Sequence, residues 1–201
     1  MLKVYGVANS RAHRTLWMLE ELGVEYEHVK TNFATRETRT PEYLAVNPNG
    51  HIPALEDGDT ILWESMAINL YLAKKFAGPL SPSSLADEGH ALKWSVWAMT
   101  EVEPLLVTGL RHSVMLPPEQ RDPAKRAAVV SSLDVPLGVL AAALEGRDSL
   151  LGGDFSVADL NVSSVLTWAP IVGVEIARYG AVGPWFERCV GRPAFTRAQQ
   201  R

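Results

Sequence analysis

Two short stretches of the chain carry residue types that suit the binding of a peptide-like ligand. His51, Ile52 and Pro53 open an apolar run, and Glu64 and Ser65 stand at the start of a helical pattern. A proline at the first residue of a strand can adopt the cis bond at modest cost. In that geometry the main chain of Ile52 faces outward, where its N–H and C=O can pair with an extended ligand. The alternative is that Pro53 only shapes a turn.

Glu64 and Ser65 admit two interpretations that use the same physical chemistry. Unpaired N–H groups at a helix start, together with the Ser65 hydroxyl, can hold a ligand carboxylate. Glu64 can hold a nearby ammonium, so the pair suits the zwitterionic end of an amino acid. The alternative is capping, in which either side chain satisfies the helix N–H groups and complements the helix dipole.

The pattern around these stretches predicts an α/β unit of four strands in residues 1–77. "LKVYG" and "VEYEHVK" predict two strands, and "RTLWMLEELG" between them predicts a helix that ends at Gly23. Such a β-α-β unit usually gives a parallel pair of strands. "IPALEDGDTILWE" predicts a hairpin that turns through Gly58, and "SMAINLYLAKKF" predicts the helix that follows it.

The remainder of the chain has helical patterns only. "AGPLSPSSLADEG" predicts a linker at residues 78–87, and residues 88–201 predict an all-helical domain. Pro136 lies inside one helical pattern and should bend the helix or restart it. Ser156 and Asp159 have the spacing of a capping box, which assigns them to the folding of the helical domain.

Composition excludes several classes of function. The formal net charge is −4 and no basic run occurs, so nucleic-acid binding is not expected. We also expect no membrane association, because no apolar segment was identified that reaches the roughly 18 residues needed to span a bilayer. The single cysteine, Cys189, permits neither an internal disulfide nor a zinc cluster. A cytoplasmic protein without a metal site is therefore predicted.

The order of these motifs resembles a known family. "NPNGHIPALEDGDTILWESMAINLYLAKKF" resembles the glutathione-binding half of cytosolic glutathione S-transferases. "SRAHRTLWMLEELGVEYE" is similar to that family's first helix and second strand, and "DFSVADL" is similar to its C-terminal capping box. The resemblance implies an α/β thioredoxin-like N-terminal domain followed by an all-α C-terminal domain. It also implies a homodimer that needs no cofactor, with glutathione as co-substrate and a small hydrophobic electrophile as the second substrate.

The resemblance assigns the two stretches to parts of glutathione. Ile52 would pair its main chain with the cysteinyl part, beside cis-Pro53. Glu64 and Ser65 would hold the γ-glutamyl end. His51 would either reach toward the glycyl carboxylate or remain an exposed loop residue.

The resemblance also requires a group that stabilises the glutathione thiolate, because the thiol is a poor nucleophile. Ser10 precedes the first helix and can donate a hydrogen bond, while the helix N-terminus supplies positive potential. Counting back from Gly23, the family's serine position falls on Asn9, whose amide also donates, so both residues stay candidates. Ser10 could instead cap the helix, and Tyr5 is a minor candidate. Three nearby side chains are expected to add positive character: Arg11, His13 and Arg14.

The resemblance implies a detoxification enzyme, a transferase that conjugates the glutathione thiolate to small electrophiles. Two alternatives share the fold. One is a non-catalytic protein that uses the fold for interaction or regulation. The other is a glutathione-dependent peroxidase or disulfide reductase, which would use the same peptide-binding residues.

Overall fold

The computed structural model describes all 201 residues, and the chain separates into two compact units. The first unit comprises Met1–Pro82 together with Gly191–Arg201, and the second comprises Ser83–Val190. The sequence had placed residues 88–201 in one helical domain, whereas the last eleven residues belong to the first unit. The fourth helix already begins at Leu85, within the linker predicted at 78–87.

The first unit contains a mixed sheet of four strands, as predicted. The strands are β1 (Leu2–Tyr5), β2 (Tyr26–Val29), β3 (Ala54–Asp57) and β4 (Thr60–Trp63). Their order in the sheet is β2-β1-β3-β4, in which β1 and β2 are parallel and the other two pairs are antiparallel. The helices of this unit are α1 (Ala12–Leu22), α2 (Pro41–Val46), α3 (Ser65–Lys75) and the C-terminal helix α11 (Pro193–Gln199).

Local signals explain the ends of the first elements. Gly23 takes the left-handed conformation after α1, with φ 63°, and its N–H donates to the Leu19 carbonyl. Gly6, with φ 138°, follows β1, and a Cβ atom there would lie 2.4 Å from the Cβ of Ala12. The chain can therefore pass this close to the start of α1 only because residue 6 has no side chain.

The C-terminal segment packs on α1. The Phe195 ring makes edge contacts with the rings of His13 and Trp17, each with centroids 4.9 Å apart. Arg197 and Arg201 both pair with the buried carboxylate of Glu20. These contacts join residues more than 170 positions apart in sequence, so the last helix completes the first unit.

The second unit is entirely helical. Its α-helices are α4 (Leu85–Trp97), α5 (Glu103–Leu110), α6 (Pro123–Ser132), α7 (Asp134–Leu144), α8 (Val157–Leu166), α9 (Ala169–Val172) and α10 (Val182–Val190). A π-helical turn, Ala98–Val102, joins α4 to α5, and a second, Arg111–Met115, follows α5. The predicted restart near Pro136 is confirmed, because α6 ends at Ser132 and α7 begins two residues later.

Asp159 organises the core of the helical unit. Its buried carboxylate accepts hydrogen bonds from the main-chain N–H groups of Leu150 and Ser156, from the Ser156 hydroxyl and from the Trp185 indole. The predicted capping box of Ser156 and Asp159 is confirmed. Four donors satisfy a carboxylate that would otherwise be costly to bury.

One helical stretch has the length and composition of a membrane span, contrary to the expectation from the sequence. It covers Pro123–Leu144, with a mean hydropathy of 1.9 and 33% of its window buried. The stretch consists of two helices, α6 and α7, and its leucines at 133, 137, 140 and 144 are fully buried. The buried third of the stretch contributes to the core of the helical unit.

Candidate functional site

The register of the sheet brings the predicted site segments to one end of the first unit. Tyr5 pairs with Ala54, and Ala54 pairs with Trp63. The loop after β1, the residues before β3 and the residues after β4 therefore all leave the sheet at the same end. Neighbouring strands are about 4.8 Å apart. The segments gathered in this way are residues 6–11, Ile52 with Pro53, and Glu64 with Ser65.

The main-chain N–H and C=O groups of Ile52 are available for hydrogen bonding at this end of the sheet. The Ile52–Pro53 peptide bond is cis, as predicted, and the Ile52 side chain is buried against Tyr43 and Ala54. Neither the main-chain N–H nor the C=O of Ile52 forms a hydrogen bond with another group of the protein. An extended ligand can therefore pair with this residue without displacing a bond of the protein.

The turn before Ile52 is held by one side chain from α2 and one from the residue that follows α2. The main-chain carbonyl of His51 accepts hydrogen bonds from the Tyr43 hydroxyl at 2.6 Å and from the Asn47 amide at 2.7 Å. The His51 side chain itself is exposed. Arg39 donates to the Asn49 carbonyl at 3.2 Å, which brings a cationic side chain to the same turn.

Glu64 does not behave as an ordinary helix cap. Its backbone has φ 74° and ψ 110°, a conformation that residues other than glycine rarely adopt, and its side chain makes no capping hydrogen bond. Ser65 is the first residue of α3 and is buried. No side chain caps α3, so its first N–H groups remain available to an anion. The side-chain capping alternative is therefore wrong for Glu64.

Ser10 makes two local hydrogen bonds. Its hydroxyl donates to the Val7 carbonyl at 2.7 Å and accepts from the Ala12 N–H at 3.0 Å. A serine hydroxyl has one proton, so Ser10 can donate to a ligand sulfur only after it releases Val7. Asn9 is exposed in the same loop. Both candidates lie at the predicted end of the sheet, and the choice between them stays a prediction.

Tyr5 is excluded as the thiol-activating group. Its hydroxyl donates to the Glu56 carboxylate at 2.8 Å. Burial, followed by this hydrogen bond, raises the Tyr5 pKa far above its usual value. The hydroxyl is therefore committed to Glu56.

The predicted positive charge of His13 is wrong. Burial under the C-terminal helix lowers the His13 pKa to about 4, against a smaller opposing effect from a hydrogen bond with the Phe195 main chain. The imidazole is therefore neutral at pH 7. Arg11 is exposed beside it at the start of α1, so a cation remains near the loop.

Sequence reasoning missed the residues that hold the turn before Ile52. Tyr43 lies within α2, and Asn47, four positions later, is the extended residue that follows the last residue of the helix. That spacing was readable, but it did not reveal the His51 carbonyl as their target. No group of three or more His, Cys, Asp or Glu side chains that could hold a metal ion occurs in the structure.

Comparison with known proteins gives matches along most of the chain. Residues 1–74 match the N-terminal domain of glutathione S-transferase, and residues 105–193 match its C-terminal domain. The chain is 33% identical to the probable glutathione S-transferase GSTF1 of Oryza sativa subsp. japonica, over 96% of this chain and 93% of that protein. It is 31% identical to the glutathione S-transferase GstB of Escherichia coli K12, over 96% and 95% respectively.

A solved structure extends the likeness to three dimensions. The theta-class glutathione S-transferase of Xanthomonas axonopodis pv. citri, with glutathione bound, superposes with a TM-score of 0.91. The two chains are 31% identical, and the match covers 100% of this chain and 97% of the other.

Proposed function

The chain belongs to the cytosolic glutathione S-transferase family, and we propose that it conjugates the glutathione thiolate to small electrophilic compounds. The proposal rests on one observation, that two ligand-binding features lie at the same end of the sheet. Ile52 offers an unbonded main chain beside cis-Pro53, and α3 offers its uncapped N-terminus at Glu64 and Ser65. A tripeptide with a charged amino-acid end fits both features at once.

Each part of the proposed site has a separate role. The Ile52 N–H and C=O pair with the cysteinyl residue of glutathione. The α3 N-terminus and the Ser65 hydroxyl hold the γ-glutamyl carboxylate, while Glu64 holds the γ-glutamyl ammonium. His51, exposed on the adjacent turn, lies on the side proposed for the glycyl carboxylate.

Catalysis requires the bound thiol to ionise near neutral pH. Lowering a thiol pKa by about two units corresponds to about 2.7 kcal/mol of preferential stabilisation of the thiolate. A hydrogen bond to a charged group contributes about 1.5–3 kcal/mol, and the N-terminus of α1 adds a favourable dipole. Ser10 or Asn9 is the proposed donor. The thiolate then attacks an electrophilic carbon, and the carbon–sulfur bond forms as the leaving group departs.

Titration calorimetry with glutathione tests the binding step. The wild-type protein is expected to bind glutathione, and Ser65→Ala is expected to bind it more weakly because the carboxylate loses one donor. A flat titration at millimolar ligand with folded protein would refute the proposed function. Binding without turnover of any electrophile or hydroperoxide would favour the non-catalytic alternative.

Comparing two substrates tests the reaction class. A model aryl halide reports conjugation, whereas a hydroperoxide reports the peroxidase alternative. We expect the aryl halide to be turned over with consumption of one glutathione per product. Turnover of the hydroperoxide alone would replace the proposal with a glutathione-dependent peroxidase.

A homodimer is proposed for the assembled enzyme. Ile61 and Trp63 lie exposed on β4, which is an edge strand of the sheet. Exposed apolar side chains on an edge strand are a feature of protein contacts. Light scattering after size exclusion should give twice the mass of the 22.0 kDa chain. A cytoplasmic location is proposed with it, because a chain with a single cysteine cannot form the internal disulfides that are typical of secreted proteins.

A further inference from the structure

The turn between α2 and Pro53 is stabilised by side-chain hydrogen bonds that end on one carbonyl. Tyr43 and Asn47 both donate to the main-chain oxygen of His51. A carbonyl oxygen has two lone pairs, so these two donors complete its hydrogen bonding. The peptide plane that links His51 to Ile52 is fixed by this arrangement, since its oxygen cannot rotate without breaking both bonds.

The same peptide plane carries the N–H of Ile52. Because the plane is rigid, the direction of the His51 carbonyl determines the direction of the Ile52 N–H. That N–H is one of the two groups proposed to pair with the cysteinyl residue of glutathione. The two donors on the His51 oxygen therefore orient a group that they do not touch.

Asn47 also accepts two hydrogen bonds from residues of the turn itself. Its side-chain oxygen accepts from the Asn49 N–H at 3.0 Å, and its main-chain oxygen accepts from the Gly50 N–H at 2.9 Å. Asn47 and Tyr43 are buried, and burial raises the Tyr43 pKa to about 12. The Tyr43 hydroxyl therefore keeps its proton and remains a donor at any pH at which the protein is assayed.

We infer that Tyr43 and Asn47 are positioning residues for glutathione, which fix the main chain of Ile52 before the ligand arrives. This inference rests on the proposed function. An oriented N–H binds its partner without an ordering cost, so the two residues lower the dissociation constant of glutathione. Neither residue is a proposed thiolate donor, so the rate at saturating glutathione is set elsewhere.

Two near-isosteric substitutions test the inference. Tyr43→Phe removes one donor and keeps the ring, and Asn47→Asp removes the other donor while keeping the oxygen that accepts from Asn49. Each variant is expected to raise the dissociation constant of glutathione by about threefold to tenfold. The kcat at saturating glutathione should stay within about twofold of wild type, the signature of lost uniform binding.

Matched controls come from the same unit. Tyr71→Phe removes a hydroxyl that donates to Asp57, away from the turn. Asn32→Asp makes the same amide-to-carboxylate change in a loop where the side-chain oxygen accepts from the Ala34 N–H. Both controls should retain the wild-type dissociation constant. Hydrogen–deuterium exchange of the segment 47–53 should become faster in Tyr43→Phe and Asn47→Asp, and remain unchanged in the controls.

The outcomes separate this inference from the proposed function. If wild-type protein binds glutathione and all four variants share its dissociation constant, the positioning role is overturned while the proposed function stands. If wild-type protein does not bind glutathione, the proposed function itself fails. A fall in kcat equal to the change in kcat/KM would also overturn the inference, since it would place the two residues in the chemical step.

Discussion

Replacing Glu64 by glycine is expected to stabilise the fold and to weaken glutathione binding in the same molecule. The backbone at Glu64 has φ 74° and ψ 110°, and such a conformation costs a non-glycine residue about 1–3 kcal/mol. Glycine avoids that cost but loses about 0.5–1 kcal/mol through the greater freedom of the unfolded chain. The net gain in the free energy of unfolding should therefore lie in the range of about 0–2.5 kcal/mol.

Glu64→Ala is the matched control. Alanine removes the carboxylate as glycine does, but its Cβ retains the backbone strain. Both variants should lose the contact with the γ-glutamyl ammonium, which as a charge-assisted hydrogen bond corresponds to an increase in Kd of about tenfold to 100-fold. Only glycine should gain stability. The difference between the two variants isolates the strain at this residue.

Urea unfolding and thermal unfolding measure the stability, and titration calorimetry measures the binding. For a chain of this length, 1 kcal/mol corresponds to a Tm shift of about 2–4 °C. A Glu64→Gly variant no more stable than Glu64→Ala would refute the reasoning from backbone strain. Wild-type affinity in both variants would show that the Glu64 carboxylate does not hold the ligand.

Three further predictions concern the thiol, the C-terminal contact and the helical core. Ser10→Ala should raise the pKa of the bound glutathione thiol by about 1–2 units, which an ultraviolet titration of the thiolate measures. If that pKa changes in Asn9→Ala and not in Ser10→Ala, the donor is Asn9. Burial alone would raise the Glu20 pKa, but hydrogen bonds from Tyr26, Arg201 and Arg197 hold it below its ordinary value. Ionised Glu20 therefore stabilises the folded state at pH values above its unfolded pKa of about 4.3, and this stabilisation is lost as pH falls through the folded pKa. In urea unfolding, the free energy of unfolding of Glu20→Gln should therefore fall less between neutral and acidic pH than that of wild type. An equal fall in both proteins would contradict the lowered pKa of Glu20. Asp159→Ala should lower the free energy of unfolding by about 3–5 kcal/mol, because four donors lose their acceptor, whereas exposed Asp154→Ala should be neutral in the same assay.

Much of the first unit was predictable because its signals are local. The Asp57–Asp59 turn, with Gly58 at φ 58°, forms the predicted hairpin. Gly23 ends α1 as predicted. The start of β3 differs, since the ladder begins at Ala54 rather than at Ile52. Pro53 has no N–H to donate, so pairing starts after it.

The position of the C-terminal segment was not predictable from its pattern. An amphipathic helix shows which of its faces is buried, but not which surface covers that face. In the structure, Arg192 and Arg197 reach Glu21 and Glu20 on α1. Ion pairs between residues so distant in sequence leave no periodic signal, and the helical composition of residues 88–201 therefore suggested a single domain.

The structure brings the predicted site segments to one end of the sheet, but the groups proposed to bind the ligand were harder to recognise in the sequence because many of them belong to the main chain. A main-chain donor can be supplied by any residue type except proline, so Ile52 carries no chemical signature of its own. The residues that can be recognised in the sequence are those that shape the backbone around Ile52. Gly50 is one of them, with φ 61° and room for no Cβ, since such an atom would lie 2.8 Å from the Thr38 carbonyl.

The same reasoning explains why sequence alone could not choose between Ser10 and Asn9. A serine before a helix is expected to form local hydrogen bonds, and Ser10 does so with Val7 and Ala12. Both bonds position the loop, and the bond to Val7 also occupies the one hydroxyl proton that a thiolate would need. If Ser10 is the donor, glutathione binding must exchange the Val7 carbonyl for the sulfur anion. That exchange is favourable because hydrogen bonds to charged groups are stronger than those to neutral carbonyls.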